Sequence, residues 1–155
     1  MAYEWEKNLR PDLLVVGKAL SGGFMPVSGV FCDDEIMMLL KPGDHGSTYG
    51  GNPLAMAVSR AAIKTLIEEG MPENAAKMGD ILGNELRSIK SPLIKEVRGR
   101  GLFWAVEVTQ DSHVTGNDLA NELMKLGMIT KATHNYSLRL APALTINEKE
   151  VMDSA

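Results

Sequence analysis

The residues whose types and spacing suit chemistry are a lysine, a hydroxyl-bearing glycine-rich turn and an arginine. Lys18 follows the run Leu13-Leu14-Val15-Val16-Gly17 and precedes Ala19-Leu20-Ser21-Gly22-Gly23. Four large apolar residues in succession read as a strand buried on both faces, of the kind found inside a parallel sheet. A lysine at the carboxyl end of such a strand stands where α/β folds place ligands. Partial desolvation there lowers an amine's pKa and leaves more of it as free nucleophile. The competing reading is a lysine that reaches water along its aliphatic stem. A phosphate-binding loop is excluded, because that motif needs a glycine where Asp12 stands and a Ser or Thr where Ala19 stands.

Ser47 and Thr48 lie in Asp44-His45-Gly46-Ser47-Thr48-Tyr49-Gly50-Gly51. Hydroxyls and backbone N–H groups in such a turn can close on a phosphate, and the same text also makes a plain surface turn. Arg139, within Ser137-Leu138-Arg139-Leu140-Ala141-Pro142, offers the two-pronged grip on a carboxylate that lysine cannot copy. An arginine between leucines on a strand equally fits a solvated face with alternating burial. His45 reads as structural, Arg98 and Arg100 as structural or surface charge beside a bend, and Tyr49, Trp104 and Tyr136 as packing. The single Cys32 rules out an internal disulfide, fits a reducing compartment and reads as a small buried hydrophobe.

The elements that must position these residues follow from periodicity and punctuation. Residues 1–12 read as a surface segment leading to the first strand, and 27–31 as a second strand after the Gly22-Gly23 turn. Asp33 is placed to cap a short helix over 35–40 that Pro42-Gly43 stops. Asn52-Pro53 opens a helix running to Glu69, whose apolar residues wrap more than one stripe and so predict burial against two partners. An amphipathic helix follows over 72–90, then strands over 95–98 and 102–108 around Gly99-Arg100-Gly101. A helix over 117–126, a short strand over 128–131, a strand over 137–140 and a capping signature at Asn147–Glu150 complete the chain. Few residues follow that signature, and the first strand calls for parallel neighbours, so part of a larger subunit is expected.

Composition bounds the partners. With 155 residues, 45% hydrophobic and 23% charged, the chain has the make-up of soluble globular protein. A net charge of -4 without a basic stripe argues against nucleic acid or an anionic membrane surface. No apolar run approaches the ~20 residues of a membrane span, and no signal or transit composition opens the sequence.

The text from Gly17 to Gly23, then Pro26-Val27-Ser28, then Lys41 to Leu54 closely resembles the class III aminotransferases, which use pyridoxal 5′-phosphate (PLP). The segment Lys41 to Leu54 resembles the ornithine-specific members in particular. The likeness runs from about Arg10 to the last residue. It implies an α/β fold, the C-terminal part of a PLP-dependent transferase fold type I subunit. Residues 1–70 would be the end of the large PLP-binding domain with the interdomain helix, and 71–155 a truncated small α+β domain.

The resemblance also assigns roles. Lys18 matches the lysine that binds PLP covalently and then moves a proton between substrate and cofactor. Thr48, with Ser47, matches a segment that crosses a homodimer interface to the neighbour's cofactor phosphate. Arg139 matches the arginine that holds the substrate carboxylate, notably that of 2-oxoglutarate. No metal is implied. The implied reaction moves the δ-amino group of ornithine to 2-oxoglutarate, giving glutamate semialdehyde and glutamate, inside the cell, in cytoplasm or mitochondrial matrix. The rivals are an acetylornithine or 4-aminobutyrate aminotransferase, and a non-catalytic truncated remnant that binds an intact subunit. The acidic residue that keeps the pyridine nitrogen protonated stands before the lysine in the family. Asp34-Glu35-Ile36 follows Lys18 here and is not given that role, so this chain alone is not expected to turn over.

Overall fold

The computed structural model describes residues 2–6 and 8–155, apart from the side chains of Ala2 and Trp5. The expected surface segment therefore lies partly outside the described residues, at Met1, Lys7 and the Trp5 side chain. The chain divides into two compact units, Met1–Glu68 and Glu69–Ala155. Among the described residues, no helix is long and apolar enough to cross a membrane.

In the first unit β1 (Leu13–Val16) pairs antiparallel with β2 (Gly29–Cys32), Leu13 opposite Cys32 and Val16 opposite Gly29. This corrects the expectation of a parallel strand buried on both faces: Leu13 is 53% exposed and Val15 72%. An unbroken apolar run reports that a strand is hydrophobic, not which neighbours it has. Within this unit β2 is the one strand paired with it among the described residues, and side chains alternate about a half-covered ribbon. Cys32 is half-buried.

Between the strands, a 3-10 turn over Lys18–Ser21 leads into Gly22 and Gly23, both at positive φ (66° and 88°). Ser21 is fully buried, and its hydroxyl donates to the Met25 carbonyl while accepting the Met25 N–H at 3.0 Å. That pair of bonds closes the glycine turn. Helix α1 (Asp34–Met37) is shorter than expected. Asp33 occupies its N-cap without a capping bond, because its carboxylate takes Arg10 at 2.7 Å instead.

Helix α2 (Pro53–Glu68) starts as the sequence indicates, with the Asn52 side chain accepting the Ala55 N–H at 2.9 Å. Its predicted burial against two partners is not seen. Ala55 and Ser59 are buried, whereas Leu54 and Ile67 are exposed. The covered side meets the turn after Lys18, where a Cβ on Gly22 would lie 3.4 Å from that of Ala62.

The second unit is a four-stranded antiparallel sheet in the order β3-β4-β6-β5. Strand β3 is Ile94–Arg100, β4 Phe103–Val108, β5 Lys131–Thr133 and β6 Ser137–Leu140. The short strand expected at 128–131 thus begins only at Lys131. Helices α3 (Met71–Ser88), α4 (Gly116–Lys125) and α5 (Glu148–Ser154) all contribute to one core against one face of the sheet. Met78, Leu82 and Leu86 of α3, at steps of four, meet Leu102, Trp104, Val106, Leu138 and Val151. Thr115 with Asp118 and Asn147 with Glu150 form reciprocal capping boxes at α4 and α5.

Helix α3 lies very close to the β3–β4 hairpin. A Cβ on Gly79 would fall 2.1 Å from the Gly101 carbonyl oxygen, and one on Gly83 2.2 Å from Cζ2 of Trp104. Trp104 is buried, donates from Nε1 to the Gly101 carbonyl at 2.7 Å, and carries the Arg87 guanidinium over its ring at 4.6 Å. The expectation that Trp104 serves packing therefore holds.

Gly83→Ala is accordingly expected to destabilise the chain, because neither the helix backbone nor the buried indole can yield cheaply. Overpacking of this kind costs about 1–3 kcal/mol. Denaturant unfolding monitored by tryptophan fluorescence checks it, and an unchanged midpoint would mean that the helix simply slides outward.

Candidate functional site

The first unit holds three of the residues singled out by chemistry. Gly17 is extended, and a Cβ there would lie 3.3 Å from that of Ser28, so the chain entering Lys18 passes tightly against β2's approach segment. Lys18 itself has φ 56°, in the left-handed region that side-chain-bearing residues rarely adopt. Such a conformation costs on the order of 1–3 kcal/mol and persists only where its surroundings impose it. Here the β-ribbon before it and the Ser21–Met25 clasp after it do so. Lys18 is exposed, which corrects the expected partial desolvation.

The loop after α1 carries tight turns at Lys41–Asp44, Ser47–Gly50 and Tyr49–Asn52, the last two overlapping. The Gly50 N–H meets the Ser47 carbonyl at 3.3 Å, and a Cβ on Gly50 would sit 2.9 Å from that of Ser47, which demands glycine. The Asn52 side chain donates to the Tyr49 carbonyl at 2.8 Å, tying the turn to the start of α2. A recess of about 520 Å³ is lined by Ser28, His45, Ser47, Tyr49, Asn52 and Met56, among others. Lys18 and Thr48 are not among its lining residues. Ser28 is the residue that sequence reasoning left without a role. Its signal was the Pro26-Val27-Ser28 stretch immediately downstream of the glycine turn. Three hydroxyls, those of Ser28, Ser47 and Tyr49, an imidazole and the amino end of a 16-residue helix form a donor set suited to a phosphate.

Arg139 lies in the second unit. On β6 it faces away from the core, exposed, while its neighbours Leu138 and Leu140 point to the helices. The strand register sets Arg98, Ala105, Arg139 and Lys131 side by side across the sheet. Arg98, Arg139, Arg100, Thr133, His134 and Ser137 line part of a recess of about 490 Å³. The Thr130 hydroxyl donates to the Arg139 carbonyl and fixes the strand edge. Among the described residues, the Arg139 guanidinium has no hydrogen-bond or ion-pair partner.

Arg98 behaves differently. It reaches Glu96 at 2.6 Å and Glu107 at 2.7 Å, and Lys95 takes the other Glu107 oxygen at 2.7 Å. Hydrogen bonds from Lys95 and then Arg98 hold the Glu107 carboxyl below its usual pKa. The bond to Glu107, then that to Glu96, pushes the Arg98 guanidinium up. Among the described residues no cluster could hold a metal ion.

The Aminotransferase class-III family profile matches residues 1–155. Rat "Ornithine aminotransferase, mitochondrial" is 47% identical over 148 residues, which is 96% of this chain and 34% of that protein. A solved ornithine aminotransferase from Toxoplasma gondii, with partial occupancy of PLP at its active site, superposes with TM-score 0.89 at 41% identity. That match covers 95% of this chain and 35% of the other. The crystal structure of an acetylornithine aminotransferase from Elizabethkingia anophelis gives TM-score 0.88 at 42% identity, covering 96% of this chain and 39% of that one. The chain thus spans about a third of the length of the relatives it matches.

Because the folded Glu107 carboxyl titrates below its unfolded value, its contribution to stability is present above the ordinary carboxylate range and lost as pH falls through the folded value. Unfolding free energy is therefore expected to drop as pH falls below about 4.3. Glu107→Gln should flatten part of that slope in denaturant titrations across a pH series. An identical slope would mean that the triad adds nothing in solution.

Proposed function

The chain belongs to the class-III aminotransferases, and we propose that it forms part of a subunit that moves the δ-amino group of ornithine to 2-oxoglutarate, giving glutamate semialdehyde and glutamate. The observation that carries this reading is the setting of Lys18: an imposed left-handed backbone, directly after a glycine packed on Ser28 and before a clasped small-residue turn. Strain of that kind clusters where a side chain must be aimed. In this reading residues 1–70 are the end of the large cofactor-binding domain with the interdomain helix, and 71–155 most of the small domain.

Lys18 is the residue that would hold PLP covalently. Thr48 and Ser47 would hold its phosphate from the neighbouring copy of a homodimer, a reading supported by the exposure of every residue from 41 to 51. The hydroxyl and imidazole donors around Ser47 suit a phosphate in their chemistry. Bound PLP supplies an electron sink for bond breaking at the substrate carbon that carries the amine. Lys18 then acts as the proton carrier, taking a proton from one carbon and returning it to another through a single amine on a flexible stem. Arg139 holds the carboxylate of 2-oxoglutarate. Its guanidinium, exposed on the outer face of β6, offers two parallel donors to an incoming carboxylate.

An acetylornithine aminotransferase is the second reading, favoured by the Elizabethkingia structure's equal likeness. The compartment is the mitochondrion, as in the rat relative's name, or the cytoplasm.

Incubating the chain with PLP, reducing with borohydride and mapping peptides by mass spectrometry is expected to place the label on Lys18 and to lose it in Lys18→Ala. Label scattered over exposed lysines in both proteins would overturn the cofactor assignment. For the substrate, an amino-donor panel on the full-length subunit should favour ornithine over N-acetylornithine and 4-aminobutyrate. A preference for N-acetylornithine would shift the assignment to the second reading.

A further inference from the structure

The hydroxyl turn of the first unit consists of exposed residues, so hydrogen bonds and not packing must hold its shape. Two backbone bonds cross it, from the Gly50 N–H to the Ser47 carbonyl and from the Asn52 N–H to the Tyr49 carbonyl. Both are 3.3 Å long, beyond the usual range of about 2.7–3.2 Å. The Asn52 side chain makes a shorter one, its Nδ2 donating to the same Tyr49 carbonyl at 2.8 Å. That carbonyl oxygen therefore accepts from the backbone and from the side chain of one residue, which uses both of its lone pairs.

Asn52 is engaged on its other side as well. Its Oδ1 accepts the Ala55 N–H at 2.9 Å and its main-chain carbonyl accepts that of Met56 at 3.2 Å, so it caps α2. One planar amide thus spans the turn and the helix, with its donor toward the turn and its acceptor toward the helix. A carboxylate of the same size would accept at both ends and could not join them. Ser47, Tyr49 and Asn52 line one recess, and α2 is itself set against the turn after Lys18, where Ala62 meets Gly22. The amide therefore ties a loop with no core of its own to a 16-residue helix.

We propose that Asn52 is a positioning residue for phosphate recognition: through its bond to the Tyr49 carbonyl it sets where the Ser47 and Thr48 hydroxyls stand relative to the start of α2. This rests on the phosphate-binding role given to Ser47 and Thr48 above. Asn52 need not touch the phosphate in this scheme, and its effect passes entirely through the turn. Capping and tethering are combined in one side chain, and a shorter hydroxyl separates them. Serine caps a helix about as well as asparagine, but its single oxygen, one bond from Cβ, ends short of where Nδ2 stands.

In the full-length subunit, Asn52→Ser is expected to weaken PLP binding about fivefold, the scale of one hydrogen bond. Binding of pyridoxal, the same ring without the phosphate, should be unchanged. The denaturation midpoint of the cofactor-free subunit should stay where it is, because α2 keeps its cap. PLP bound by Asn52→Ser as tightly as by the unaltered subunit overturns the proposal. So does an equal loss of PLP and pyridoxal, which is what a general loosening of the fold would give. The double variant S47A/T48V separates that failure from failure of the underlying role: if it binds PLP as tightly as the unaltered subunit, the phosphate reading itself is overturned.

Discussion

Helix α3 approaches the β3–β4 hairpin to the point where Gly79 meets the Gly101 carbonyl and Gly83 meets the Trp104 ring with no room for a methyl group. That contact decides which face of the sheet is interior. Trp104, Val106, Leu138 and Leu140 must all lie under the helices once the indole is seated, because side chains alternate along a strand. Every odd partner in the register, Phe103, Ala105, Glu107, Ser137 and Arg139, is then committed to the opposite face. The outward aim of Arg139 is thus a consequence of core packing several residues away. It does not depend on any contact that Arg139 makes itself.

With the register set, the electrostatics of that face follow. Arg98, Arg139 and Lys131 fall in one row, an arrangement that like-charge repulsion disfavours unless acids stand nearby. Glu96 and Glu107 supply the compensation, but only on the β3 side. Exposed pairs of this kind contribute little to stability, on the order of 0.2–1 kcal/mol each.

Much of this was legible in the sequence where a local rule is self-contained. The Asn52-Pro53 helix start, the hairpin about Gly101 and the capping box of Asn147 with Glu150 each depend on residues within a few positions of one another, and each formed as read. So did the amphipathic spacing of α3. The misreadings share a physical cause, namely neighbours that a local window does not contain. The Leu13–Val16 run was hydrophobic enough for a doubly buried strand, yet its pairing is antiparallel and one side stays open. Asp33 had the right type for a cap but lost its carboxylate to Arg10, 23 positions away. The partnership of Arg98 with Glu107 was hidden for the same reason, since only the strand register reveals that they are diagonal neighbours.

Lys18 shows how a strained backbone position can be fixed without a large core. Among the described residues of the first unit, Ser21, Ala55 and Ser59 are the buried ones, so burial of apolar area contributes little local rigidity there. The left-handed backbone at Lys18 must instead be held by short-range constraints acting from both sides: the β1–β2 ladder fixes the entering chain, and the Ser21–Met25 bonds with the positive-φ glycines fix the exit. Contact between that turn and Ala62 on α2 adds a third anchor. A single hydrogen bond contributes only about 1 kcal/mol, against strain on the order of 1–3 kcal/mol, so the left-handed backbone at Lys18 is held by these constraints acting together, and the property they fix is the direction of the amine.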